Sequence, residues 1–278
     1  MRHLRQITLP LLLTLTFGGS LIIPVVAQDS VAAKKNAGDL DLSKFPGQVM
    51  EDVLIPVPSE IFGVLEKLGD PDWRKEITPG TKVKFSDRTD VALQLGTVVA
   101  DGFLAVQAQD AKTVEAIGRD VLELSKALGV KEAVLPHCNA IQEAAKSKDW
   151  DTVRRELDST QRTVRDTMDK MKDKALAECV SVGGWLRGTQ VVTSVIKASY
   201  TEDKAELLNQ PELVDYFRKS IAKAMTKLPK TEKLKLIAKG LGDIHDLMNS
   251  SSGNLNQNAV SSINRITAEL VAQMTSKN

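Results

Sequence analysis

The chain has 278 residues, 37 of them Lys or Arg and 36 Asp or Glu, with 26% charged and only 4% aromatic. A charge this close to balance excludes binding driven by the phosphates of nucleic acid. So few aromatic rings leave little surface for stacking on bases or sugars.

Arg2 and Arg5 open the sequence, residues 7–26 carry no charge, and Val25-Val26-Ala27 supplies small residues for cleavage. This is the pattern of an export signal cut after Ala27. No Cys follows, so a lipoprotein signal is excluded; Pro10, Pro24 and Gly18-Gly19 argue against an uncleaved anchor. Removing the first 27 of 278 residues leaves 251, and the 37 basic residues less Arg2 and Arg5 leave 35 against 36 acidic. The expectation is an exported protein, periplasmic or extracellular, with no membrane span in the mature chain.

Residues 28–58 read as a flexible polar leader followed by a proline-rich extended arm, because Pro46, Pro56 and Pro58 oppose helix. A helical domain is expected over 59–248. Ile61, Phe62, Leu65 and Leu68 fall at helical spacing before Gly69, and Asp70-Pro71 starts a short helix anchored by Trp73. An extended link over 81–86 leads to a helix at 88–109, where Asp101 is the single charge after position 91. Helices at Ala111–Leu128, Lys131–Lys146 and 150–174 follow, the last laced with charge pairs four apart. Residues 172–200 form either the continuation of that rod or a separate helix joined near Asp173. From Cys179 to Ile196 this stretch has one charge, Arg187, and three glycines. Further helices are expected at 202–208, 212–227 and 232–248. A Ser/Asn/Gly-rich mobile loop at 249–258 precedes a C-terminal helix within 259–278 that packs on the same domain.

The fold class is all-α: a multi-helix bundle of about nine helices with short connections. A short TPR-like superhelix is the second choice. Trp150 to Leu157 is similar to the helix starts of TPR-like repeats over those eight residues, but no 34-residue period runs through the chain.

Motifs for chemistry are sparse. GxSxG, HExxH, GxxxxGK[ST] and CxxCH do not occur. His137 and His245 are the histidines beyond the signal; with Cys138 beside it, His137 keeps a haem- or metal-binding bundle as an alternative, but the residues name no cofactor. Cys138 and Cys179 are compatible with a disulfide in an oxidising compartment and equally with two buried thiols. Lys219, Lys223, Lys227, Lys230, Lys233 and Lys235 form a candidate patch for an anionic partner.

The sharpest pattern is two charge-poor helices with opposite lone charges, Asp101 and Arg187. A buried lone charge is costly, so the two are expected to pair. Gly184 and Gly188, four apart, together with Gly96 and Gly102, are expected to bring the helices close, with Gln94, Thr97, Gln107, Gln190 and Thr193 extending a polar network. This is either an internal ion pair or the floor of a cleft for a small polar ligand. The functional expectation is a non-catalytic exported binding protein whose partner is a protein, an envelope component or a small ligand. The alternative is an enzyme, possibly a hydrolase by class, centred on Asp101 and Arg187.

Overall fold

A computed structural model describes residues 48–50, 53–55, 58–78, 87–250 and 255–276. The export-signal pattern, most of the leader, the link over 81–86 and the centre of the Ser/Asn-rich loop lie outside these residues.

Among the described residues the protein is an all-α bundle of eleven helices with one small hairpin. The hairpin pairs β1 (Gln48–Met50) antiparallel with β2 (Val53–Ile55), Val49 opposite Leu54, and β2 lies against the helix at Pro211–Ala224. The sequence marks this stretch as extended; the structure adds that its two halves pair with each other.

The helices are α1 (Pro58–Lys67), α2 (Trp73–Glu76), α3 (Arg88–Gln107), α4 (Ala111–Leu128), α5 (Lys131–Lys146) and α6 (Trp150–Lys170). They continue with α7 (Lys174–Ala198), α8 (Glu202–Glu206), α9 (Pro211–Ala224), α10 (Glu232–Ser250) and α11 (Gln257–Thr275).

Helices α3 to α7 form a closed ring. Each packs on the next, and α7 packs back on α3 more extensively than on any other helix. Closure decides between the two architectures, since a superhelix would leave α3 and α7 apart. One turn design makes the ring. Gln109, Gly129, Lys148 and Lys172 each take a left-handed backbone. The next residue then donates its N–H to the carbonyl five back: Asp110 to Ala105, Val130 to Ser125, Asp149 to Ala144 and Asp173 to Met168. This is the Schellman closure of a helix end. At Asp110 and Asp149 the side chain also caps the following helix, accepting from Thr113 and Thr152 N–H. The same turn at Lys172 separates α6 from α7, so the long rod is two helices.

Five helices joined by tight turns alternate in direction, which leaves the first and last parallel. Accordingly Leu93, Gly96 and Asp101 of α3 meet residues around Gly183, Gly184 and Arg187 of α7 in ascending order. α3 is long and apolar enough to cross a membrane, but 89% of that window is buried inside the protein. It is a core helix. α11 covers α7, α9 and α10 form a hairpin beside it, and α1 lies on α6 and α3. Leu93, Leu186, Ile196, Ile237, Leu241, Ile244 and Ile263 are fully buried in this assembly. Tyr200 Oη donates to the Leu255 carbonyl at 3.0 Å, and Leu255 is buried, so the chain entering α11 is anchored there.

Candidate functional site

Residues on α3, α7, α11 and the end of α2 converge on Arg187. Its side chain is 4% exposed and that of Asp101 9%. Nε and Nη2 donate to the same Asp101 oxygen, Oδ1, at 2.9 and 2.7 Å. Nη1 donates to Gln190 Oε1 at 2.8 Å, and Nη2 also donates to the Glu76 carbonyl. Asp101 Oδ1 takes a further bond from Thr78 N–H at 3.4 Å. Glu76 is the last residue of α2, where carbonyls have no partner inside the helix. The ion pair therefore stitches the chain leaving α2, one backbone acceptor and one backbone donor, onto the α3–α7 seam. Burial holds the Asp101 carboxyl above the ordinary carboxylate value, against the opposing pull of Arg187 and the Thr78 amide.

The polar row continues along α7. Asn264 Nδ2 of α11 donates to the Gln190 carbonyl at 3.1 Å and to Thr193 Oγ1 at 3.0 Å, and Ser194 Oγ donates to Glu76 Oε1 at 3.3 Å. Thr97 Oγ1 is spent on the Gln94 carbonyl, and Gln107 accepts from Arg154 at 3.4 Å rather than from Arg187.

Of the four glycines expected at the close approach, Gly96 and Gly184 make it, Gly102 and Gly188 do not, and Gly183 joins them. A Cβ on Gly96 would overlap the Val180 carbonyl and stand 2.6 Å from Gly184 N; one on Gly183 would overlap the Leu93 carbonyl. Gly184 is in contact at 3.4 Å, whereas Gly188 has nothing within 4 Å and Gly102 faces Ile117 of α4. The contact is thus Gly96 against Gly183 and Gly184, one turn from the ion pair.

The space beside Asp101 and Arg187 is a pocket of about 30 Å³ lined by Thr78, Gln94, Thr97, Asp120 and Val271 among others. Small-molecule sites span about 300–1,000 Å³, at least about tenfold more. A wider, open groove of about 620 Å³ lies elsewhere, between α10 and α11, floored by Gly240, Ile266 and Leu270.

No family model, curated protein or solved structure matches the chain.

The six candidate lysines do not form one patch. Lys233 is buried and its Nζ lies 3.1 Å from Asp90 Oδ2 at the start of α3, so it belongs to the interior and is withdrawn from the patch. Lys219 pairs with Asp215 and Lys235 with Glu232, each at 2.7 Å. Lys223, Lys227 and Lys230 stay exposed. A third buried polar contact joins α9 to α7: Tyr216 Oη lies 3.1 Å from both carboxylate oxygens of Glu178. Burial, and then the Glu178 charge, push the Tyr216 phenol up.

His137 has both nitrogens engaged, Nδ1 with Glu156 at 2.9 Å and Nε2 with Thr163 at 3.0 Å. The order hydroxyl, imidazole, carboxylate is that of a nucleophile, base and orienting acid. Thr163, however, lies inside α6, where backbone N–H groups are bonded along the helix and leave no donor pair for an oxyanion. The cluster ties α5 to α6. His245 contacts Arg218 and Asn249, and among the described residues no three His, Cys, Asp or Glu converge as a metal set.

Of the two states open to the cysteines, the structure has the unbridged one. Cys138 and Cys179 are buried free thiols. They sit on α5 and α7, which the ring separates by α6. Burial pushes the Cys138 thiol up to about 11 and Cys179 up to about 12, where little thiolate exists at neutral pH. The folded protein is therefore expected to resist a disulfide-exchange reagent at pH 8 and to titrate two thiols once denatured without reductant. A count of zero after denaturation would show a bridge instead.

Proposed function

We propose that the chain is an exported, non-catalytic helical protein that acts by binding at its outer surface. The observation that carries this reading is the close packing of the central cluster. The Asp101 and Arg187 side chains are bonded to each other and to backbone groups, beside a space of only about 30 Å³. A general base or oxyanion donor needs room for a reacting atom about 3 Å away, and this cluster offers none for a substrate. The enzyme alternative therefore loses its best-supported residues, and the cleft reading loses its volume. The export part rests on the sequence pattern ending at Ala27.

A thermal-shift screen with small carboxylates, phosphates, sugars and amines tests the reading. A ligand held only by the folded protein at one hundred times its Kd adds about 2.7 kcal/mol, which moves the midpoint by several degrees. No such rise is expected. A compound that raises the midpoint of the native chain, but not of Gln190→Ala, would place a ligand in the central cluster and overturn the proposal. Export is tested separately by sequencing the N-terminus of protein taken from its host's envelope, with Gln28 expected first.

A further inference from the structure

Three turns gather at one end of the bundle: α4–α5, α6–α7 and α9–α10. The first turn of α3 holds them together. Arg88 donates to the Leu128 carbonyl at 3.1 Å and pairs with Asp173 at 2.7 Å; Asp90 pairs with Lys233 at the start of α10 at 3.1 Å. Gly129 of the α4–α5 turn lies against the Met171 methyl.

This end is rich in lysine. Lys126, Lys170, Lys172, Lys174, Lys227 and Lys230 are all exposed on the three turns. Among the acids there, Asp173 is taken by Arg88 and Glu232 by Lys235, while Asp169 and Glu132 remain exposed. At the opposite end of α7, 25 residues away, Lys197 and Lys204 are outnumbered by Glu202, Asp203 and Glu206 at α8. The near-balanced total charge therefore hides an uneven distribution along the bundle axis.

The apolar side chains add a second, independent observation. Among the described residues the two exposed large hydrophobics are Met171, 41% exposed, and Leu236, 45% exposed. Met171 sits in the α6–α7 turn between Lys170 and Lys172, and Leu236 on the second turn of α10 beside Lys235. Lysines flanking protruding apolar side chains suit the interface of an anionic bilayer, where ammonium groups meet phosphates and apolar tips enter the acyl boundary. A purely acidic polymer would use the lysines and leave Met171 and Leu236 unaccounted for.

We propose that this lysine-rich end of the bundle docks on an anionic lipid surface, with Met171 and Leu236 as the inserting side chains. The proposal deepens the binding reading by naming its partner. The vesicle assay separates the two: if it fails, surface binding of another kind still stands on the thermal-shift screen.

The test is co-sedimentation of the full chain with phosphatidylglycerol-containing vesicles and with phosphatidylcholine vesicles. Binding is expected on the anionic vesicles alone. It is expected to fall at least about tenfold from 0.1 M to 1 M salt, as the screening length shrinks from about 10 Å to about 3 Å. Each lysine near such a surface is worth about fivefold, so Lys170→Gln, Lys172→Gln, Lys227→Gln and Lys230→Gln combined should lower partitioning by at least about a hundredfold. Met171→Ser with Leu236→Ser should weaken vesicle binding and leave binding to soluble heparin unchanged. These six positions are exposed, so circular dichroism is expected to show native helicity in every variant. Equal binding to both vesicle types, absence of binding to the anionic ones, or indifference to the Met171 and Leu236 changes would each overturn the proposal, the last in favour of an acidic polymer.

Discussion

Replacing Arg187 with methionine is expected to lower the unfolding free energy by about 3–5 kcal/mol, measured by denaturant titration at pH 7. The loss is large because the substitution leaves Asp101 charged in a buried site. The pH dependence follows from the same carboxyl. Its folded value is raised by burial, so its contribution favours the fold below the unfolded carboxylate value and is lost as pH rises through the folded one. Without Arg187 the opposing attraction is gone and the raise becomes larger. The variant should therefore be weakest relative to native near neutral pH and regain part of the difference as pH falls. Adding Asp101→Leu should recover part of the loss, because replacing a whole buried pair with apolar groups is often nearly neutral. The Glu76 carbonyl and Thr78 N–H would still lack partners, which keeps about 1–3 kcal/mol of the deficit. A single variant within about 1 kcal/mol of native would show the pair to be dispensable.

Gly96→Ala and Gly183→Ala are each expected to cost about 3 kcal/mol, at the upper end for overpacking, because their methyl groups meet backbone of the facing helix. Backbone cannot swing aside as a side-chain end can, so relief requires α3 and α7 to separate. Gly188→Ala is the control on the same helix. With nothing within 4 Å, it should gain roughly 0.5–1 kcal/mol from helix propensity. Thermal midpoints of the three variants check the ordering. If Gly188→Ala proves as harmful as Gly183→Ala, the seam has been assigned to the wrong face.

That contrast shows where the sequence stops being informative. Asp110, Asp149, Gly129 and Pro211 mark helix ends by local chemistry, and the helices begin or stop beside them. The pairing of Asp101 with Arg187 is readable because lone charges in apolar helices need partners. Which glycines face α3 is not readable, since α7 is apolar nearly all round and its pattern selects no face. Counting charge from Val91 and Cys179 passes over Asp90 and Glu178, each one step outside the charge-poor run, and so misses their contacts with Lys233 and Tyr216. Glu178 within the apolar run from Leu176 to Val182 was the available signal. The Glu76 carbonyl and Thr78 amide have no residue-type signal, because they act through the backbone.

The ring of α3 to α7 also has a consequence for the order in which the chain folds. Its four tight turns join helices that are neighbours in sequence, so each hairpin closes a short loop. The seam between α3 and α7 joins residues 86 apart and is expected to form after the intervening hairpins have shortened that distance. Gly96, Gly183 and the Asp101–Arg187 pair thus sit at a late step of assembly. Substitutions there should act mainly on the unfolding rate, while changes in the turns at Gln109, Gly129 and Lys148 should act on the folding rate.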